Sequence, residues 1–273
     1  MEIYLTIIKN GVTIDHRDLG VRLLSFRKSP LTGENLTDKV QGRHGLINKG
    51  TQYDGRKLKA TFMANALSPI DYQLQLDEIS DLFSTETEMT IIESRQPGKK
   101  WDVKVDGDFE IEWIGGRNGH FEVNFIASLP FSQSLGTTLD PFTFNADVWQ
   151  VGMNMPADTE LNYRFSTNSF KVFNAGSVTV DPQKLPLDIQ FRGESQNLTI
   201  TNQTTGQMFK YTGTTTTSDV LVLKRCRHLK NNVSIYDATT HDVISLVPGW
   251  NQFSVSGPSS RFEVAFDFRF YYK

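Results

Sequence analysis

The chain has 273 residues and a formal net charge of −3, with 38% apolar and 22% charged residues. This length suits one large or two ordinary domains, and the composition excludes a disordered, collagen-like or coiled-coil protein. The nearly balanced charge gives no electrostatic reason to expect a nucleic acid or an anionic membrane as a binding partner.

The cysteine content limits the kinds of site that the chain can build. Cys226 is the only cysteine, so we expect neither an intrachain disulfide nor a cysteine-ligated zinc site. The first residues lack the basic and apolar regions of a signal peptide, and we expect none. No apolar run approaches the roughly 18 residues that span a bilayer, so we expect no membrane insertion.

Strand patterns dominate the start of the chain. Alternating apolar residues predict a strand over 3–8, and Asn10-Gly11 predicts a tight hairpin turn because both residues accept positive φ. Another strand is predicted over 21–26. Gly, Pro, Asn and charged residues then predict a long loop or extended arm over 27–54, and loops of this length are usually functional.

One helix is predicted near 69–83. Ser68 suits the N-cap position, Pro69 suits the first helical position, and Asp71 follows at the spacing that lets an acid reach back to the cap. The helical period places several apolar residues near one face. These residues are Ile70, Leu74 and Leu82.

A hairpin is predicted over 106–127, with its turn at 115–119. Four carboxylates spaced by two would line one face of its first strand, opposite an apolar face. The carboxylates are Asp106, Asp108, Glu110 and Glu112, and the apolar residues are Phe109, Ile111 and Trp113. A solvated strand face explains these acids most simply, and an acidic surface with a function is the alternative.

The second half of the chain contains frequent turn residues and no convincing helix, which predicts the short strands of a β-sandwich. Its strongest pattern lies over 262–272, where large apolar residues alternate with mostly polar ones. A polar stretch places the domain boundary between 135 and 141. The sequence therefore predicts a mainly β chain of two domains, 1–135 and 141–273, with one helix in the first (α+β) domain.

No motif indicates an enzyme or a cofactor site. The five histidines lack metal-binding spacing, and neither a nucleophile elbow nor a phosphate-binding glycine loop is present. We expect no catalytic, metal or cofactor residues. A glycosidase would need paired carboxylates from different elements across a cleft. A sugar-binding face of aromatic side chains is a further alternative to core packing; its candidates are Trp149, Tyr163, Tyr211 and Trp250.

The region 22–59 is basic, with nine basic and three acidic side chains. A solvated loop is the simplest interpretation, and contact with an acidic neighbouring subunit is the alternative. Nucleic-acid binding is disfavoured because base-stacking aromatic residues are sparse there.

Several short motifs follow one another in a recognisable order. Before the helix they are NG at 10–11, DLGV at 18–21, VQGRHG at 40–45 and GTQYDGR at 50–56. After it they are FRG at 191–193, LTITN at 198–202, TTGQMF at 204–209, SDVLV at 218–222 and LVPGWN at 246–251. In this order, and over nearly the whole chain, they resemble the distal tail protein (Dit) family of long-tailed, non-contractile phages.

The resemblance implies a structural protein and no enzymatic activity. It implies one hexameric ring, or two stacked rings, joining the end of the tail tube to the host-adsorption apparatus and surrounding the DNA channel. The N-terminal domain would be a ring-forming β-sandwich, and the C-terminal domain a galectin-like β-sandwich that docks other proteins. The expected location is the tail tip or baseplate of the virion, after assembly in the host bacterial cytoplasm.

The resemblance also implies a set of partners. They are further copies of the chain, the major tail tube protein, a tail-associated tip protein and receptor-binding or other baseplate proteins, with DNA only in transit. The alternative function is a carbohydrate-binding or cell-surface adhesion module, although the sugar-reading residues of galectins are absent from the second half.

A ring requires two different complementary surfaces on each subunit. We hypothesise that the basic arm forms one surface and that the acidic strand faces the lumen. The arm candidates are Arg43, Tyr53 and Arg56, and the lumen candidates are Asp106, Asp108, Glu110 and Glu112.

Overall fold

The computed structural model describes residues 2–143, 148–156 and 158–273. It divides into two compact units, one of residues up to 132 together with Lys273, and one of residues 133–272. Among the described residues, no helix is long and apolar enough to cross a membrane.

The first unit is an antiparallel sheet with one α-helix among its described residues. Its strands are β1 (Leu5–Lys9), β2 (Val12–Asp15), β3 (Val21–Lys28), β4 (Gly33–Asp38), β5 (Ile47–Tyr53), β6 (Arg56–Asn65), β7 (Met89–Glu93), β8 (Lys99–Val105), β9 (Glu112–Gly115) and β10 (Asn118–Ala127), and its helix is α1 (Pro69–Leu82). The strand order is β2-β1-β7-β8-β10-β6-β3, with β9 beside β10 and with β4 and β5 paired as a separate ribbon.

The core of this unit lies on one face of the sheet. The strands β6 and β10 alternate buried and more exposed residues, as the two-residue period of a strand requires. Phe62 and Phe121 are register partners, and their rings stack at 5.2 Å between centroids. Phe83, which follows α1, packs against Phe62 at 5.3 Å. The end of the helix thereby covers the centre of the sheet.

Two local predictions are confirmed. Asn10 and Gly11 have φ values of 51° and 78°, and they join β1 to β2 in a hairpin. Ser68 caps α1, because its hydroxyl accepts the backbone N–H of Asp71 at 3.2 Å, and the helix begins at Pro69.

The helix buries a different face from the predicted one. Ile70 and Leu74 are 80% and 62% exposed. The buried residues of the helix are Tyr72, Gln75, Ile79 and Leu82. Their spacings of three and four residues form the stripe that meets the sheet. Only Leu82 of the predicted apolar face is therefore in the core.

The predicted acidic strand over 106–112 is wrong. Gly107 takes a φ of 83°, and the chain forms no strand between the end of β8 at Val105 and the start of β9 at Glu112. Phe109 and Ile111 pack against the core, whereas Trp113 is 65% exposed. The four carboxylates consequently do not stack along one strand face.

The second unit is all-β apart from a short 3-10 turn at Tyr236–Ala238, within the residues described. Its strands are β11 (Ser132–Ser134, at the division between the units), β12 (Arg164–Phe165), β13 (Ser169–Asn174), β14 (Leu187–Asn202), β15 (Gln207–Lys210), β16 (Thr214–Thr215), β17 (Val220–Lys224), β18 (Arg227–Lys230), β19 (Val233–Ser234), β20 (Gly249–Phe268) and β21 (Tyr271–Tyr272). The order β12-β20-β14-β17-β18-β19 forms the main path.

Two long strands, β14 and β20, each pair with different strands along their length. The first part of β20 pairs with β13 and the last part with β12, while β14 pairs with β17 near its start and with β15 near its end. The register between β14 and β20 shifts after Gly193. Phe253 and Phe266, from opposite halves of β20, meet at 4.9 Å, so the bent strands enclose an aromatic core.

The predicted fold class is confirmed: the chain is mainly β, with two β domains and one helix in the first. The alternation predicted over 262–272 holds for its large apolar residues, which are buried. It fails near the end, where Tyr271 is also buried at 1% exposure.

Candidate functional site

A two-stranded ribbon, residues 33–53, occupies the region predicted as a loop or arm. It consists of β4, β5 and their connection, and these strands pair with no other strand among the described residues. Every residue from 32 to 54 is exposed except the half-buried Ile47. An isolated two-stranded hairpin is marginally stable in water. The ribbon therefore has no core of its own.

The ribbon exposes both apolar and cationic side chains. Its large exposed apolar residues are Leu36 at 41%, Val40 at 49% and Leu46 at 56%. The stretch 39–49 contains Lys39, Arg43 and Lys49 and no carboxylate. Lys49 pairs with Asp38 inside the ribbon, whereas Lys39 and Arg43 form no ion pair among the described residues. The end of the ribbon is thus apolar and positively charged.

Two of the three predicted arm residues lie at the base of the ribbon. The Nε of Arg56 donates to the backbone carbonyl of Ser29 at 2.9 Å, and its guanidinium lies 5.2 Å from the ring centroid of Trp101. Burial lowers the pKa of Arg56. Tyr53 meets Phe131 edge-on at 5.8 Å. Only Arg43 projects at the exposed end, and Arg56 is held within its own unit.

A second exposed surface, which we name the α1–β9 face, is strongly apolar. Its members and their exposed fractions are Leu67 (85%), Ile70 (80%), Leu74 (62%), Trp113 (65%) and Ile114 (61%). Exposed apolar patches on a protein surface mark interaction sites. The periodicity of the sequence did not predict that these residues would form an exposed surface.

Close contacts hold the two parts of the α1–β9 face together. Arg117 lies in the turn after β9, and its guanidinium donates a hydrogen bond to the carbonyl of Leu67 at 3.0 Å. Its backbone carbonyl accepts the backbone N–H of Ala66 at 3.0 Å. The helix residue Tyr72 lies so close to Gly119 that a Cβ there would be 2.6 Å from the tyrosine hydroxyl. These contacts join the start of α1 to the turn between β9 and β10.

Carboxylates are frequent on the segments that form and flank the α1–β9 face. The helix and the adjacent segment 108–112 carry seven carboxylates and no Lys or Arg. They are Asp71, Asp77, Glu78, Asp81, Asp108, Glu110 and Glu112. None of the seven forms an ion pair among the described residues. The surface is thus both apolar and negatively charged.

Asp106 is separate from this acidic group. It lines an open cavity of about 470 Å³ whose other walls include Arg27, Lys57 and Lys59. The structure therefore divides the four predicted lumen residues: Asp106 lies among cations, and the other three belong to the segment whose Ile111 lies near Tyr72 of α1, at Gly119.

The predicted sugar-binding face is not assembled. Tyr163 and Tyr211 are buried, and burial raises the pKa of Tyr163. Trp149 stacks on Phe142 at 4.5 Å. Trp250, which is 42% exposed and packs on Phe173, is the one candidate on the surface.

No catalytic arrangement emerges from the titratable side chains that the structure describes. These residues contain no group of three or more His, Cys, Asp or Glu side chains placed to hold a metal ion. His16 and His228 are buried and hydrogen-bonded within the fold, and Cys226 is exposed.

Comparison with known proteins places this geometry in context. Residues 14–127 match the family model of the phage tail protein RIFT-related domain. The crystal structure of the Dit protein (gp 19.1) of phage SPP1, described as a paradigm of the hub adsorption apparatus in phages that infect Gram-positive bacteria, matches with a TM-score of 0.68 and 15% identity over 97% of this chain and 99% of its own.

Other matches are weaker. A chain of the phage P2 baseplate in its activated conformation with calcium has a TM-score of 0.43 and 9% identity, covering 99% of this chain and 98% of its own. No curated protein sequence matches the chain significantly. The matched domain contains both the ribbon and the α1–β9 face. Residues 14–127 therefore match a phage tail protein RIFT-related domain, and the chain as a whole has the fold of a siphophage distal tail protein, in agreement with the sequence resemblance.

Proposed function

We propose that this protein is the distal tail, or baseplate hub, protein of its phage and that it forms a hexameric ring around the DNA channel at the end of the tail tube. The observation that carries the proposal is the pair of unlike exposed surfaces on one tail-protein domain, the ribbon and the α1–β9 face. A closed ring is a head-to-tail assembly in which each subunit presents two different surfaces. A single surface would support only a two-fold dimer.

The second unit supports a peripheral docking role. Its bent sheets form a self-contained aromatic core, which suits a galectin-like β-sandwich that carries other proteins without taking part in the ring. The partners proposed for the whole chain are the major tail tube protein, a tail-associated tip protein and receptor-binding or other baseplate proteins. Assembly would take place in the host bacterial cytoplasm, with one ring or two stacked rings in the finished virion.

The test is the native mass of the purified full chain, with negative-stain images of the same sample. We expect six or twelve copies and a ring with a central hole. A protein that remains monomeric up to millimolar concentration, or one that forms only two-fold dimers, would contradict the ring. A glycan array run in parallel would reveal the carbohydrate-binding alternative as binding that is lost in Trp250→Ala.

A further inference from the structure

We propose that the ribbon of one subunit docks on the α1–β9 face of a second copy of the chain. This inference rests on the proposed ring and specifies its interface. It assigns Asp108, Glu110 and Glu112 to a contact between subunits, which is an alternative to the sequence-based hypothesis that the acidic residues face the lumen.

Apolar surface is the first argument. The α1–β9 face leaves five large apolar side chains more than half exposed, and the ribbon leaves Leu36, Val40 and Leu46 about half exposed. Burying such side chains against each other is worth about 25 cal/mol per Å² of apolar area. The two sides of α1 show that apolar surface is left uncovered. Ile79 is completely buried, whereas Ile70 on the opposite side is among the most exposed apolar residues.

Charge is the second argument, and it identifies the occupant. The end of the ribbon offers Lys39 and Arg43 without any acid between 39 and 49. The helix α1 and the segment 108–112 carry seven carboxylates, and the bases that contact this face are Arg117, at Leu67, and Lys9, at the end of α1. Each surface thus has an excess of the charge that the other lacks. Complementary charge steers association and selects the partner. A second copy of this chain meets both the apolar and the charge requirement, so no other protein is needed.

Strand edges are the third argument. Among the described strands, β9 pairs only with β10, so its outer edge is open, and the ribbon has two open edges. Open edges bearing apolar side chains are aggregation hazards unless a partner covers them. If the ribbon of one copy packs against β9 of another, both open edges are covered.

The experiment uses two variants of the full chain, each of which removes one surface. The ribbon variant is Lys39→Glu with Arg43→Glu, and the face variant is Ile70→Gln with Leu74→Gln. All four side chains are exposed, so we expect both variants to fold, as circular dichroism and thermal melting would show. A control of equal charge change in the second unit is Lys171→Glu with Lys184→Glu.

Neither variant alone should form rings, and the control should assemble like the wild type. A mixture of the two variants retains one working contact, formed by the ribbon of the face variant and the face of the ribbon variant. Native mass spectrometry should therefore show a one-to-one heterodimer that does not grow further. We expect at least a tenfold higher concentration for half-assembly of either variant alone.

The outcomes separate this inference from the proposed function. Rings that persist in either variant would overturn the ribbon contact and leave the ring intact. A wild type without rings would overturn the proposed ring, while a heterodimer in the mixture would still support the contact. Absence of both rings and heterodimer would overturn both.

Discussion

The imidazole of His16 accepts the backbone N–H of Leu5 through Nε2 at 3.1 Å. Its Nδ1 must then carry the proton, and it donates to the carbonyl of Val21 at 2.7 Å. This network assigns a neutral ring, fully buried between β1 and the start of β3. Burial lowers the pKa of His16 in spite of the favourable charges of Asp15 and Glu2 nearby.

The first prediction is a loss of stability of the first unit in acid. Because the folded pKa lies below the ordinary value, the unfolded chain takes up the proton first as the pH falls below about 6.5. The contribution of His16 to the free energy of unfolding is therefore at its full value above that pH, and it decreases as the pH falls toward the pKa of the folded state. Urea unfolding of wild type and His16→Gln at several pH values would measure it.

We expect the stability difference between wild type and His16→Gln to be largest at neutral pH and to narrow on acidification. His44→Gln is the matched control, because His44 is exposed on the ribbon. A difference that stays constant from pH 7.5 to 5 would refute the role assigned to the neutral ring.

The second prediction concerns the two faces of α1. Ile79→Ala should lower the free energy of unfolding by about 2–5 kcal/mol, because it opens a cavity in the core. Ile70→Ala should change it by no more than about 0.5 kcal/mol, because Ile70 is exposed in the monomer. Urea titration of monomeric protein at low concentration checks both, and equal losses would mean that the helix is oriented differently.

The third prediction separates Arg56 from Arg43. Arg56→Ala should cost about 1.5–3 kcal/mol, since a charged donor is lost from the carbonyl of Ser29. Arg43→Ala should leave the melting temperature of the monomer at low concentration unchanged, because the side chain is exposed at the end of the ribbon. Thermal melts of both variants test this difference. A stable Arg56→Ala protein would return Arg56 to the set of candidate interface residues.

The fourth prediction concerns the bends of the second unit. Gly257 has a φ of 100°, and a Cβ there would lie 2.7 Å from the carbonyl oxygen of Gln196. Gly257→Ala should therefore cost about 3–5 kcal/mol through backbone strain and overpacking. Gly206, with a φ of 74° and open space around it, is the control, and Gly206→Ala should cost about 1–2 kcal/mol.

Denaturant unfolding of the two glycine variants gives the comparison. If both substitutions lower the free energy of unfolding equally, the close approach of β14 and β20 at Gly257 adds nothing to the cost of the positive φ.

Local chemistry made several elements predictable. The hairpin at Asn10-Gly11 follows from residues that accept positive φ, and the start of α1 follows from Ser68 and Pro69. The burial of the large apolar residues at alternate positions over 262–272 was predictable because it follows the two-residue period of a strand, although Ala265 and Tyr271 are buried as well. Such features depend on a few neighbouring residues and on no distant contact.

The assembly surfaces were only partly predictable. The positive charge of the arm is a property of composition, and Arg43 lies where it was expected, at an exposed position. Arg56 could not be distinguished from it, because its partners Ser29 and Trp101 lie far away in sequence. Periodicity likewise identified an apolar helix face but not which side would meet the sheet.

The sequence by itself determined the β-rich class, the single helix, the charge of the ribbon and the resemblance to phage tail proteins, since all of these are read from local residue order. Only the tertiary structure decided that Ile70 and Leu74 face outward, that the acids of 106–112 leave the strand pattern, and that Trp113 joins the helix at one surface. The physical reason is that an apolar residue is buried only where another element covers it. That covering is set by the packing of α1, β9 and β10 together.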